Sequence, residues 1–295
     1  MIRLICLGSS ASLPSPKHYP SCFAVKYGGV FLFDCCEGAQ RQMMKYGANY
    51  GSVEAIFLTH LHADHFLGLF GLLQSMKLNC RKIELKIFGP KGTKKFLETA
   101  LSLKELRINF PVKITEVSGK KVFENKLFSV TAFQVKHSAV ALGYVLEEAP
   151  KTKFFEKKAK SLGLKGVMFT EIQEKGFVKI GKKKILLKDV SFVEKGKKIV
   201  FSGDTEYCVE LAKAASEADL LVLDSSFSLT DKALAREKKH LTAGEAALLA
   251  KKAKAKKLLL THFSHRYPDR GVLVNEAKKE FKNTVAAIEG MELLV

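Results

Sequence analysis

The sequence predicts an α/β fold. Three observations point to it: short runs that are continuously apolar, helix-like intervals between them, and metal-ligand side chains directly after several runs. The runs are Val30-Phe31-Leu32-Phe33, Ala55-Ile56-Phe57-Leu58, Ile199-Val200-Phe201, Leu220-Leu221-Val222-Leu223 and Leu258-Leu259-Leu260. Runs this short, ended by polar residues or Gly, suit strands buried on both faces. The intervals Glu37 to Tyr46, Phe66 to Met76 and Glu206 to Ser216 read as helices. Another helix starts at Thr242-Ala243-Gly244-Glu245, the spacing of a capping box. Its apolar positions Ala246, Leu249, Ala250 and Ala253 share one face, with most of the following lysines outside it.

Length and charge narrow the function. A chain of 295 residues can bury a sizeable core and is read here as one domain, residues 1–295. Hydrophobic residues at 47% and charged residues at 27% exclude a disordered chain. The net charge of +19 favours a polyanionic partner, nucleic acid or an anionic membrane surface. No segment approaches the roughly 18–20 apolar residues of a membrane span. The apolar run Leu4 to Leu7 is too short for a secretory core. Cys6, Cys22, Cys35, Cys36, Cys80 and Cys208 show no C-x-x-C spacing, which leaves a reducing cytoplasm as the expected location.

One stretch differs in composition. Residues 151–198 hold 15 lysines and five carboxylates, about half of the whole charge excess. Phe154-Phe155 and Phe169 interrupt the charge, and Gly181-Lys182 and Gly196-Lys197 read as hairpin-like turns. The stretch is a candidate basic arm for an anionic partner; a solvated lysine-rich insertion is the plainer reading.

The strongest chemical signal is Thr59-His60-Leu61-His62-Ala63-Asp64-His65, placed between a predicted strand and a predicted helix. Imidazoles with a carboxylate and no thiolate suit Zn²⁺ or a similar divalent ion. One loop cannot close such a site. Further ligand types stand at strand ends: Asp204 in Ser202-Gly203-Asp204-Thr205, His262 after Leu260-Thr261, and His137 after the alternating run Phe128 to Val135. In an α/β sheet the carboxyl ends of strands gather at one rim, where sites form.

These residues carry a resemblance. His60-x-His62-x-Asp64-His65, His137, Gly203-Asp204-Thr205 and His262 resemble the ordered motifs of the metallo-β-lactamase superfamily. Gly8-Ser9-Ser10-Ala11-Ser12-Leu13-Pro14, Leu32-Phe33-Asp34-Cys35-Cys36-Glu37-Gly38-Ala39-Gln40 and Thr261-His262-Phe263-Ser264-His265-Arg266-Tyr267 resemble the ribonuclease Z family of tRNA 3′-end endonucleases. The likeness spans nearly the whole chain and is weakest around residues 90–130 and 150–195.

The resemblance implies a four-layer αββα sandwich with residues 151–198 as a tRNA-binding arm. It implies two zinc ions per subunit, one held by His60, His62 and His137 and the other by Asp64, His65 and His262, with Asp204 bridging. Two cations sharing a carboxylate can lower the pKa of a trapped water and clamp a phosphoryl oxygen. The resemblance further implies that Asp64 orients the attacking water and that His240 is the general acid, partnered by Asp224. The implied reaction is removal of the 3′ trailer from precursor tRNA by a cytoplasmic homodimer.

The chain departs from the family pattern at several places. Asp224 stands where Glu is usual, and Leu223 replaces a His. Cys36 replaces a Gly, and Leu164-Lys165-Gly166 lacks the arm's Pro-Gly-Pro-like signature. Pro14 to Tyr19 lacks an arginine, with Lys17 and His18 as the available substitutes. A general or cyclic-nucleotide phosphodiesterase, a glyoxalase-like thioester hydrolase and a non-catalytic RNA-binding protein are the alternatives.

Overall fold

The structure, a computed structural model, describes every residue except Pro14 and Lys182. Its described residues form two compact units: Met1–Glu147 with Lys198–Val295, and Glu148–Lys197.

The larger unit is built on two seven-stranded sheets. The first runs, in spatial order, Glu292–Leu294, Arg3–Gly8, Cys22–Lys26, Val30–Phe33, Val53–Phe57, Leu85–Gly89 and Val112–Glu116. The second runs Thr284–Ala286, Leu258–Thr261, Leu220–Asp224, Lys198–Phe201, Val140–Glu148, Phe128–Lys136 and Lys120–Glu124. The apolar runs are parallel neighbours: Val30–Phe33 pairs with Val53–Phe57, and Leu220–Asp224 with both Lys198–Phe201 and Leu258–Thr261.

Continuously apolar strands are needed because each sheet is covered on both faces. Side chains alternate between faces along a strand. Phe31 and Phe33 join Phe57, Tyr144 and Phe201 in the core shared by the two sheets. Val30 and Leu32 enter the core under the helices Ala39–Lys45 and Gly68–Leu78. Val200 packs under Val209–Ala215 and Ala243–Lys252, while its neighbours Ile199 and Phe201 face the other sheet. The result is an αββα sandwich. Phe33 and Phe201 stack across its middle with centroids 3.9 Å apart.

Two bonds tie the sheets together beside the histidine loop. The buried Tyr144 hydroxyl donates to the Leu58 carbonyl at 2.7 Å, and Leu142 N–H donates to the Thr59 carbonyl at 2.9 Å.

The smaller unit is built differently. Lys151–Phe154 pairs with Ser191–Glu194, and Phe177–Ile180 pairs with Lys183–Leu186. Its core is Ala159, Leu164, Ile172, Val178, Ile185 and Val190.

Several local expectations need correcting. The segment Phe66 to Met76 is not one helix: Ala63–Phe66 forms its own turn, and Gly68–Leu78 follows. Gly68 sits where a Cβ would lie 1.7 Å from the Cys36 carbonyl oxygen, so the chain bends there against the Cys35-Cys36 turn. The helix expected from Glu206 begins at Val209, because Glu206 N–H donates instead to the Lys136 carbonyl at the end of the adjacent strand. Gly196-Lys197 is not a hairpin turn, since Ser191–Glu194 and Lys198–Phe201 belong to different sheets. A Cβ on Gly196 would meet the Glu148 carbonyl oxygen at 1.9 Å, so close chain approach explains that glycine. Gly181 does join a hairpin; its neighbour Lys182 lies outside the described residues, as does Pro14 of the first loop.

Candidate metal centre and proton donor

The carboxyl ends of the strands position the site, but they come from both sheets rather than one rim. His60 follows Val53–Phe57 of the first sheet. Asp204, Asp224 and His262 end or follow strands of the second. An αββα sandwich brings these two rims together, which a single open sheet would not do.

Two groups of ligand atoms result, each with members within 4.8 Å of one another, His60, His62 and His137, and Asp64, His65, Asp204 and His262; a third, Asp204, Asp224, His240 and His262, shares two members with the second. In the first group His62 Nδ1 lies 3.2 Å from His137 Nε2. In the second, Asp204 Oδ2 lies 3.1 Å from His262 Nε2 and 3.4 Å from His65 Nε2. The same oxygen is 3.8 Å from His60 Nε2, so it faces both groups. Gly203, at φ +60°, permits this aim; a Cβ there would meet Thr59 Cβ at 2.9 Å.

The rings are held from behind by two buried carboxylates. Asp34, left-handed at φ 60°, accepts from His65 Nδ1 at 2.8 Å and from the Thr59 amide at 2.7 Å and hydroxyl at 2.9–3.0 Å. With its proton on Asp34, the Thr59 hydroxyl accepts from His60 Nδ1 at 3.0 Å. Asp224 repeats the pattern on the second sheet. It accepts from His240 Nδ1 at 2.7 Å and from the Ser226 hydroxyl at 2.7 Å, and that hydroxyl lies 2.8 Å from His262 Nδ1. His137 Nδ1 donates to the carbonyl of the left-handed Lys239 at 3.1 Å. Bonds to Nδ1 fix the tautomer and leave Nε2 free.

That arrangement tests whether a cation fits. His60 Nε2, Asp64 Oδ2, His65 Nε2 and His262 Nε2 are buried without a hydrogen-bond partner among the described residues. Buried unpaired polar atoms are costly. Four of them converging with a nitrogen–oxygen donor set is the surrounding a divalent ion requires.

The charge balance agrees. Burial, then the adjacent His65 ring, pushes His60 well below the usual imidazole range, and burial also lowers His137. Both are neutral, ligand-competent rings at pH 7. Burial opposes charge on His65 too, but Asp204 and Asp34 lift it well above the ordinary value. Burial would raise Asp64 and Asp204; His262 and His65 instead hold both below the carboxylate range. The second group therefore draws positive charge to itself.

His240 belongs to neither of the first two groups but to the third, with Asp204, Asp224 and His262. Burial works against its charge, but the Asp224 carboxylate outweighs it and raises the ring to about 9. Asp224, one methylene shorter than Glu, reaches His240 in full. The ring is a protonated donor at neutral pH, 5.0 Å between centroids from His137 and 5.1 Å from His262. A cavity of about 400 Å³ opens over these rings, lined also by Ser12, Ser264 and Arg266. In the first loop, His18 Nδ1 meets Glu289 at 3.2 Å, and Lys17 is exposed.

Sequence reading gave no role to Asp34, Thr59 or Ser226. Asp34 carried a usable signal: like Asp204, it is a carboxylate just after a doubly buried strand.

The family model described as the beta-lactamase superfamily domain matches residues 30–155 and 162–263. Ribonuclease Z of Methanosarcina mazei is 40% identical over 300 residues, covering 100% of this chain and 98% of that protein. Ribonuclease Z of Nitrosopumilus maritimus is 36% identical, covering 99% of each. The crystal structure of human tRNase Z, short form, superposes with a TM-score of 0.74 at 26% identity over 99% of both chains. A metallo-β-lactamase fold protein of Bacillus subtilis shares the fold at TM-score 0.72 and 19% identity, covering 99% of this chain and 98% of that one. The chain belongs to the metallo-β-lactamase superfamily and, within it, to the ribonuclease Z family.

Proposed function

We propose that this protein is an endoribonuclease that removes the 3′ trailer from precursor tRNA, leaving a tRNA 3′-hydroxyl and a 5′-phosphorylated trailer. The observation that carries the reading is the convergence of unpartnered His and Asp atoms beside a protonated His240. His60, His62 and His137 would hold one divalent ion, and Asp64, His65 and His262 a second, with Asp204 shared between them; zinc suits the donor set. Such ions supply Lewis acidity to a phosphoryl oxygen and make water more acidic.

The chain's own groups do the rest. The free Asp64 oxygen accepts a hydrogen bond from the attacking water and orients it. His240 donates its proton to the departing ribose 3′-oxygen. Asp224 keeps that ring in the right tautomer and favours its charged form.

The lysines of the smaller unit, 14 against six carboxylates, supply phosphate contacts to the tRNA body. Binding through about six such contacts weakens on the order of 10³-fold between 50 and 200 mM salt. Deleting Thr152 to Lys195 is expected to weaken tRNA binding far more than hydrolysis of bis(p-nitrophenyl) phosphate. A flat salt response, measured by filter binding, contradicts the electrostatic grip.

Six free cysteines, five of them buried, fit a reducing cytoplasm. No helix of the described residues is long and apolar enough to cross a membrane. A homodimer is what the family resemblance implies, and sedimentation equilibrium tests it.

The deciding experiment is one transcript, a tRNA with a 3′ trailer, incubated with metal-loaded protein and mapped to the nucleotide. A chelator-sensitive cut beside the discriminator nucleotide is expected. Binding without cleavage across several metals overturns the enzymatic reading in favour of an RNA-binding protein.

A further inference from the structure

A second cavity, also of about 400 Å³, shares only His240 with the one above the metal-type ligands. Its volume is in the range of small-ligand sites. Tyr207, a residue 54% exposed, lines it, and its hydroxyl has no hydrogen-bond partner among the described residues. Arg236 and Lys252 line it as exposed cations with no ion pair among the described residues. Lys232, by contrast, is spent on Glu245 at 3.0 Å. His240 Nδ1 is committed to Asp224, so its other nitrogen is the one available to a bound strand.

An exposed aromatic face with a guanidinium and an ammonium beside it is the chemistry of a nucleotide site. The ring stacks on a base, and the cations meet phosphate oxygens. Glu206, on the same wall, repels a phosphate placed near it and accepts a hydrogen bond from a ribose hydroxyl or an exocyclic amino group. That combination orients a nucleotide rather than merely attracting an anion.

We propose that this cavity is a subsite for a nucleotide flanking the scissile phosphate, with Tyr207 stacking on its base and Arg236 and Lys252 holding its phosphate. The inference rests on the endoribonuclease reading. It places His240 between two binding surfaces, where a donor to the bond joining two nucleotides must stand. The occupant is a nucleoside phosphate of the RNA strand, from either the trailer or the tRNA side.

The test uses steady-state cleavage of precursor tRNA carrying an abasic residue immediately upstream or downstream of the cut. Tyr207→Ala is expected to raise KM on the intact precursor roughly ten-fold, with the loss in KM rather than kcat. Removing the base that sits on Tyr207 costs the wild-type enzyme a similar factor and costs Tyr207→Ala nothing further. If that loss of sensitivity appears with the downstream abasic residue, the occupant is the trailer; with the upstream one, it is the tRNA end. Tyr207→Phe, which keeps the ring, restores the base dependence, and Arg236→Ala raises KM in the same direction. Wild-type KM in Tyr207→Ala and Arg236→Ala, or equal abasic losses in wild type and Tyr207→Ala at both positions, overturns the subsite. Absence of cleavage by the wild-type protein is a different result: it overturns the endoribonuclease reading and the subsite with it.

Discussion

The two buried carboxylates behind the site, Asp34 on the first sheet and Asp224 on the second, make the same construction and yield different chemistry. Each stands at the carboxyl end of a doubly buried strand, binds one imidazole directly and steadies another through a hydroxyl. Around Asp34 both rings, His65 and His60, are in the ligand groups. Around Asp224 one ring, His262, points its free nitrogen at Asp204, while the other, His240, shares a third group with both and is raised to about 9. The directly bound rings, His65 and His240, are both raised by carboxylates, so the networks differ in how buried and how crowded their rings are. His60 is fully buried and crowded by other imidazoles, which drives it neutral. His240 retains some exposure and meets Asp224 directly, which keeps it charged. The same kind of support thus holds a neutral ring, His60, on one side and a charged one, His240, on the other.

The largest effect is expected where the two halves meet. Asp204→Ala removes the one oxygen that faces His60, His65 and His262 together. kcat on precursor tRNA should fall by at least about 10³, and bound metal should fall with it, measured by elemental analysis of the dialysed protein. A wild-type rate would sink the two-metal mechanism.

Asp34→Asn comes next and acts on one half. It withdraws the charge behind His65 and, through Thr59, loosens His60. Metal affinity is expected to drop about 10–100-fold in chelator competition, with kcat recovering at saturating metal. An unchanged affinity would show that the rings hold their aim without Asp34.

Asp224→Asn sharpens the contrast because its first effect is on pH. A general acid must be protonated to act. His240, raised to about 9, is loaded across neutrality and loses its proton only as pH rises through that value. Without the carboxylate the ring returns toward the ordinary imidazole value of about 6.5. The alkaline limb of kcat should therefore move down by more than one pH unit, with a smaller loss of metal affinity than in Asp34→Asn. An alkaline limb that stays in place would remove His240 from the proton-donor role.

How much of this was legible in the sequence follows from what each residue type can announce alone. Three histidines and an aspartate in six positions are conspicuous, because no ordinary loop needs them. The doubly buried strands were legible for a similar reason: unbroken apolar runs have few other uses. The Val140–Glu148 strand, which supplies Tyr144, was not assigned from the sequence. Thr59 and Ser226 are silent because a single hydroxyl after a strand is common, and Asp34 shows only its place after a buried strand, since its role depends on a ring that arrives from elsewhere in the chain. The meeting of two sheet rims leaves no mark in the residues themselves, since it is a property of how the layers close, and only the family resemblance implies it. In the basic unit the charge could be read directly. Its pairing of Lys151–Phe154 with Ser191–Glu194 joins segments some 40 residues apart and left no local mark.

The smallest effect tests whether the two networks are equivalent where they look most alike. Ser226→Ala removes the hydroxyl between Asp224 and His262, as Thr59→Val removes the one between Asp34 and His60. Each leaves a buried ring nitrogen without its acceptor, a loss on the order of 1–3 kcal/mol if nothing replaces it. In the first network Asp34 still holds His65, so Thr59→Val should lower affinity mainly through His60. In the second, Asp224 Oδ1 lies 3.9 Å from His262 Nδ1, close enough for a small ring shift to restore a direct bond. Ser226→Ala is therefore expected to lower metal affinity only a few-fold, and less than Thr59→Val, by competition titration of the two proteins side by side. The reverse order would mean that Ser226 is the essential link on its side, and that Asp224 serves His240 alone.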